Sequence, residues 1–134
     1  MLKNLNKFKV MSVLTSALYF YLFVSLLLFP ESFCKDLGIT GSESLYFVAR
    51  RASTLMLGLS VLLFLVRNTP PSAVRQAIAF SVGVNMAGFA LSGSFELIRG
   101  FVNTSILNAI VIEVLVATLY FSFWVFDGRQ LGQN

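Results

Sequence analysis

The sequence predicts an all-α integral membrane protein, a four-helix bundle with both termini in the cytoplasm. Of its 134 residues, 57% are hydrophobic and only 12% are charged, which is half the ~25% charged residues of a soluble domain. Four long apolar stretches account for the excess, at residues 10–29, 45–66, 73–95 and 105–126. Because the loops are too short to hold another domain, we expect a single transmembrane domain over residues 1–134.

Each stretch is close to the ~20 residues that a helix needs to cross a hydrocarbon core about 30 Å thick. A soluble helical bundle would need polar residues on its outer faces at helical period, and segment 18–28 has almost none. Membrane-spanning β-strands are excluded because hydrophobicity does not alternate over blocks of about ten residues.

The first span follows a basic segment with Lys3, Lys7 and Lys9. It is longer than the apolar core of a signal peptide and no small-residue cleavage site follows, so we expect the span to be retained. Pro30 ends it, and residues 30–37 are typical of a short interfacial turn or helix.

The second and third spans are separated by the clearest loop signal in the chain, residues 68–72 (Asn-Thr-Pro-Pro-Ser), with Ser72 the expected N-cap of the third helix. Small residues at 79, 83 and 87 of the third span favour close helix contact. A second face of this span carries a polar stripe that we expect to point into the bundle: Ser81, Asn85, Gly88, Ser92 and Glu96.

The placement of basic residues predicts the orientation. With four spans, one side carries six of them: Lys3, Lys7, Lys9, Arg67, Arg75 and Arg129. The other side carries Lys35 and Arg99, apart from Arg50 and Arg51, which lie inside the second span. Since basic loops stay in the cytoplasm, both termini are expected there.

Histidine is absent and the only cysteine is Cys34. The chain therefore lacks the commonest metal and haem ligand and the usual proton shuttle near neutral pH. A single cysteine also rules out an intramolecular disulfide and a C-x-x-C redox motif. We expect no cofactor and no metal site.

Glu113 is the most informative residue, because it interrupts the middle of the apolar fourth span. A carboxylate at this depth must be protonated, paired or facing a cavity. Measured from the non-cytoplasmic helix ends, Arg51, Glu113 and Asn85 lie roughly 9, 12 and 15 Å deep, in one layer. The sequence predicts that Glu113 pairs with an arginine, and that the arginine also reaches Asn85 or a serine such as Ser92.

Arg51 is the favoured partner of Glu113, because it shares a helix face with Thr54 and Gly58. Arg50 lies about 100° away around the helix and is expected to extend towards the headgroups. Two interpretations stay open. The pair fixes helix register, its best-attested structural role, or it lines a small polar cavity that opens to the non-cytoplasmic side.

Three segments resemble the DoxX-like group of small four-helix bacterial membrane proteins: 29–31 (Phe-Pro-Glu), 37–38 (Leu-Gly) and 49–52 (Ala-Arg-Arg-Ala). The resemblance covers most of the chain. It implies a multi-pass protein of the bacterial inner membrane. For some members it implies an accessory role in redox or stress pathways.

The sequence favours an accessory or binding protein that holds a lipid, a quinone or a small amphiphile near the Arg–Glu pair. The alternative is a proton-coupled transporter like the small multidrug exporters, although those carry their essential acid in the first span. An enzyme is disfavoured, since no nucleophile–base pair is visible. The expected partners are membrane lipids and either a membrane protein subunit or a second copy of the chain; no nucleic-acid partner is expected.

Overall fold

The computed structural model describes residues 2–131, and their side chains from residue 6 to residue 129. Within that range it contains no strand and five helices: α1 Leu2–Leu28, α2 Pro30–Asp36, α3 Glu43–Val66, α4 Ala73–Ile98 and α5 Ile106–Leu131. Four of them are long and apolar enough to cross a membrane. The predicted all-α, four-span class is confirmed.

Local sequence signals set the helix boundaries. Ser42 and Ser72 cap α3 and α4 by accepting backbone N–H bonds from Leu45 (3.3 Å) and Arg75 (3.2 Å), so the predicted Ser72 cap is confirmed. Such caps satisfy donors that the first turn of a helix leaves unpaired. Pro30 begins α2, where its missing N–H costs nothing.

Glycines end α2 and α4 through the same motif. Gly38 (φ 77°) donates to the Lys35 carbonyl at 2.9 Å, and Ile39 donates to the Cys34 carbonyl at 2.9 Å. Gly100 (φ 72°) and the residue after it repeat this pattern at the end of α4. This is the Schellman arrangement, which needs a left-handed residue and therefore favours glycine. It carries α4 to Ile98, three residues beyond the predicted span.

Contacts divide the chain into two compact units. The N-terminal unit, residues 2–68, holds α1, α2 and α3; the C-terminal unit, from residue 69 on, holds α4 and α5. The expectation that the whole chain forms one domain stays a prediction.

In the N-terminal unit, α1 packs along α3, and two serines join them at mid-span. Ser16 Oγ donates to the Ser60 carbonyl at 2.8 Å, and Ser60 Oγ donates back to the Ser16 carbonyl at 2.9 Å. Both serines are buried. Because each hydroxyl bonds the backbone of the other helix, the pair fixes their relative height.

In the C-terminal unit, α4 and α5 form an antiparallel hairpin whose register is set by small residues. A Cβ on Gly83 would lie 2.9 Å from the Phe121 ring, so the glycine leaves room for that ring. Phe80 packs against Trp124 with ring centroids 5.0 Å apart. Of the three small residues predicted to allow close helix contact, Gly83 lies against the Phe121 ring, Ala79 is buried, and Ala87 lines an open cleft between α4 and α5.

Candidate functional site

The predicted charge layer is distributed over both units. Arg50 and Arg51 belong to α3 of the N-terminal unit, whereas Asn85, Ser92 and Glu113 belong to the C-terminal unit. The pairing of Arg51 with Glu113 therefore stays a prediction, and the surroundings of each residue are described within its own unit.

Arg51 is exposed and lies eight residues after the start of α3, roughly 12 Å along the helix. Its guanidinium carbon lies 5.8 Å from the centroid of the Phe47 ring, one turn closer to that start. Around Arg51 runs a groove whose other lining residues are mostly apolar: Phe47, Val48, Ala52, Thr54 and Leu55. The groove thus combines one cationic group with a largely apolar wall.

The hydroxyl groups beside the two arginines make local hydrogen bonds. Thr54 Oγ1 donates to the Arg51 carbonyl at 2.7 Å, and Ser53 Oγ donates to the Arg50 carbonyl at 2.6 Å. Ser53 is buried, whereas Arg50 is exposed. These bonds satisfy the hydroxyls within the helix, so the guanidinium groups are the main polar groups left on this part of α3.

Glu113 and Asn85 are both half-buried in the C-terminal unit. Since Gly83 lies against Phe121 and Phe80 against Trp124, Glu113 is level with about residue 91 and Asn85 with about residue 119. The two therefore differ in height by about six residues, roughly 9 Å. Asn85 also lies thirteen residues before the end of α4, or roughly 20 Å deep, because the helix runs further than the predicted span.

Ser92, the remaining member of the predicted layer, is exposed. Its Oγ donates to the Phe89 carbonyl at 3.0 Å. Ser81 behaves in the same way, donating to the Ala77 carbonyl at 2.9 Å. In this polar stripe both hydroxyls are thus satisfied by their own helix.

The strongest polar interaction of the described chain was not predicted. Arg75 Nε donates to Asp127 Oδ2 at 2.7 Å, and its Nη2 donates to Asp127 Oδ1 at 2.7 Å. A third bond runs from Arg75 Nη1 to the Thr69 carbonyl at 3.2 Å. The side chains are 1% and 3% exposed. The two residues thus form a buried bidentate ion pair, the geometry in which arginine–carboxylate hydrogen bonds are strong and specific.

The sequence analysis counts Arg75 among the basic residues at the loop between the second and third spans and gives Asp127 no role. The structure corrects this: Arg75 is the third residue of α4 and is buried. A cation in the first turn and an anion near the last turn each oppose their helix dipole, and pairing offsets both penalties. The sequence signal that could have predicted this pair is the presence of opposite charges near the start of α4 and the end of α5, which adjoin in an antiparallel hairpin.

Cys34, the only cysteine, is buried in α2. Burial raises the pKa of its thiol, because an apolar surrounding disfavours the thiolate. Since the thiolate is the reactive form, we expect this thiol to react slowly with electrophiles at neutral pH.

Comparison with protein-family models, curated proteins and solved structures found no match to this chain. The DoxX-like resemblance stays a prediction. The four long apolar helices mark a multi-pass membrane protein, and the side chains described above are the basis for inferring its function.

Proposed function

We propose that this protein is a non-enzymatic accessory or binding subunit of a bacterial inner membrane, related to the DoxX-like group. It holds a lipid, a quinone or a small amphiphile near an intramembrane arginine–glutamate pair. The observation that supports this proposal is Arg51, an exposed cation inside an apolar span beside a largely apolar groove.

The physical reason is the cost of an isolated charge. An arginine near the bilayer centre costs at least ~2.5–3.5 kcal/mol on insertion scales, and it cannot lose its proton. An anionic or polar group must therefore reach it. Glu113 and the polar head of an amphiphile both meet this requirement, and the apolar wall of the groove suits the remainder of such a molecule.

The test is to identify what co-purifies with the protein after gentle extraction. We expect a small amphiphile in the extract of the wild-type protein, and at least a severalfold smaller amount with Arg51→Ala. Arg50→Ala is the matched control, since it removes the same charge from the adjacent position. Equal amounts from the wild type and Arg51→Ala would contradict the proposal.

A second candidate, proton-coupled export of hydrophobic cations, is favoured by Glu113, a half-buried acid within the fourth span. Inverted membrane vesicles with an imposed pH gradient would then take up a cationic dye, and Glu113→Gln would abolish the uptake. Absence of uptake by the wild-type protein would remove this candidate.

A further inference from the structure

The C-terminal unit carries a groove whose lining includes none of the residues named for the proposed site. Its inner part is a cleft of about 350 Å³ between α4 and α5, opened by the small side chains of Ala87, Ala90 and Ala117. Its outer part, of about 450 Å³, follows one face of α5 to Arg129. Thr118 and Phe121 line both parts, so the two parts adjoin at these residues.

The length of this α5 groove suits a lipid chain. From Val114 to Arg129 it covers sixteen residues of α5, whose Cα atoms extend over roughly 22 Å of helix. One leaflet contributes about half of a 30 Å hydrocarbon core, roughly 15 Å. The groove therefore extends from the helix end through the full depth of one leaflet.

The wall of the α5 groove offers few hydrogen-bonding groups, although three hydroxyl residues line it. Thr118 Oγ1 donates to the Val114 carbonyl at 2.8 Å, and Ser122 Oγ donates to the Thr118 carbonyl at 2.8 Å. Ser94 Oγ donates to the Ala90 carbonyl at 2.7 Å. Because these donors are satisfied within their own helices, the wall suits a hydrocarbon chain better than a polar molecule.

The outer end of the α5 groove is cationic. Arg129 is exposed in the last turn of α5. The acid two residues earlier, Asp127, has both carboxylate oxygens bonded to Arg75, so it does not neutralise Arg129. The groove thus has an apolar wall along its length and a positive charge at its outer end, at the level where lipid headgroups lie.

We propose that the α5 groove binds one anionic phospholipid, with an acyl chain lying in the cleft and the headgroup phosphate at Arg129. The orientation expected from the basic residues places this lipid in the cytoplasmic leaflet. It shares no lining residue with the groove at Arg51.

The test uses the purified chain equilibrated with equal amounts of phosphatidylglycerol and phosphatidylcholine of identical acyl chains, followed by native mass spectrometry. We expect the wild-type protein to retain one more lipid per chain than Thr118→Phe, which blocks the groove where its two parts meet. That additional lipid should be phosphatidylglycerol in preference to phosphatidylcholine. Leu115→Phe, at an exposed position that does not line the groove, should retain it.

Arg129→Gln should lower the preference for phosphatidylglycerol about fivefold, the usual contribution of one basic residue near an anionic surface. Lys9→Gln makes the same charge change elsewhere and should keep the preference. Equal retention of the two lipids by the wild-type protein would overturn the proposal. So would an unchanged adduct in Thr118→Phe, or a second protein chain in place of the lipid.

Discussion

At the scale of single residues, the Arg75–Asp127 pair is the most consequential interaction of the C-terminal unit. Both charges are removed from water, which costs several kcal/mol per ion before any pairing. Two parallel hydrogen bonds of 2.7 Å and a third to the Thr69 carbonyl offset that cost. Removal of either member should therefore destabilise the hairpin, mainly because the other charge would remain buried and unpaired.

Asp127→Ala is expected to lower the free energy of unfolding by about 3–5 kcal/mol, since it strands a buried guanidinium. The double variant Arg75→Ala with Asp127→Ala should recover at least half of that loss, because it removes both charges. Denaturant titration of the detergent-solubilised protein measures these values. Additive effects of the two single substitutions would show that the residues are not coupled.

The same pair shows why sequence reasoning about the site was incomplete. Glu113 was noticed because it interrupts an apolar run, whereas Arg75 and Asp127 lie at helix ends, where charges are ordinarily solvated. Burial and pairing there depend on the register between α4 and α5, which a single sequence does not specify. A sequence pattern therefore shows a charge inside an apolar span, such as Glu113, more readily than a buried ion pair at helix ends, such as Arg75–Asp127.

At the scale of helices, hydropathy and caps predicted most of the architecture. The predicted 45–66 and 73–95 spans match α3 and α4 to within three residues, since Ser and Pro signals mark their beginnings and hydrophobic length marks their extent. The end of α4 extended further because the Gly100 cap, rather than the last apolar run, terminates it. This shift alone places Asn85 deeper than the sequence suggested.

Three glycine-to-alanine substitutions, at positions 100, 88 and 83, form a matched series at this scale. Gly100→Ala should lower the free energy of unfolding by about 1–2 kcal/mol, because its φ of 72° strains any residue with a Cβ. Gly88→Ala should raise it by about 0.5–1 kcal/mol, since Gly88 is helical with open space where the Cβ would lie. Gly83→Ala should lower it, because the new methyl group would meet the Phe121 ring.

Denaturant titration of the three variants checks the order of their unfolding free energies. All three substitutions add the same methyl group, so the series separates backbone strain, helix propensity and steric contact. A Gly100→Ala variant as stable as Gly88→Ala would contradict the assigned cap.

At the scale of the whole molecule, the predicted coupling of Arg51 with Glu113 is the main hypothesis that links the two units. Glu113→Ala alone should destabilise the protein strongly, because it leaves an arginine in an apolar span without its acid. Addition of Arg51→Ala should recover part of the loss, whereas addition of Arg50→Ala should not. A double-mutant cycle of unfolding free energies measures this coupling, and simple additivity would refute it.

Membrane topology is the remaining property of the whole chain. If all four candidate spans cross the membrane, residues 68–72 and the last helix end lie on one side, and the excess of basic residues predicts that this side is cytoplasmic. Single cysteines introduced by Asn68→Cys and Thr104→Cys should therefore react from opposite sides with a membrane-impermeant maleimide. We expect Thr104→Cys to react in intact spheroplasts and Asn68→Cys only in inverted vesicles.

The native thiol of Cys34 should contribute little labelling to this topology experiment, so it does not need to be replaced. Cys34 is 6% exposed, and burial raises the pKa of its thiol, so less of the reactive thiolate is present at a given pH. Wild-type protein should thus label slowly in both preparations. If Asn68→Cys reacted in spheroplasts, the orientation would be inverted; the α5 groove and Arg129 would then face the opposite leaflet, whose lipids would be the ones to test.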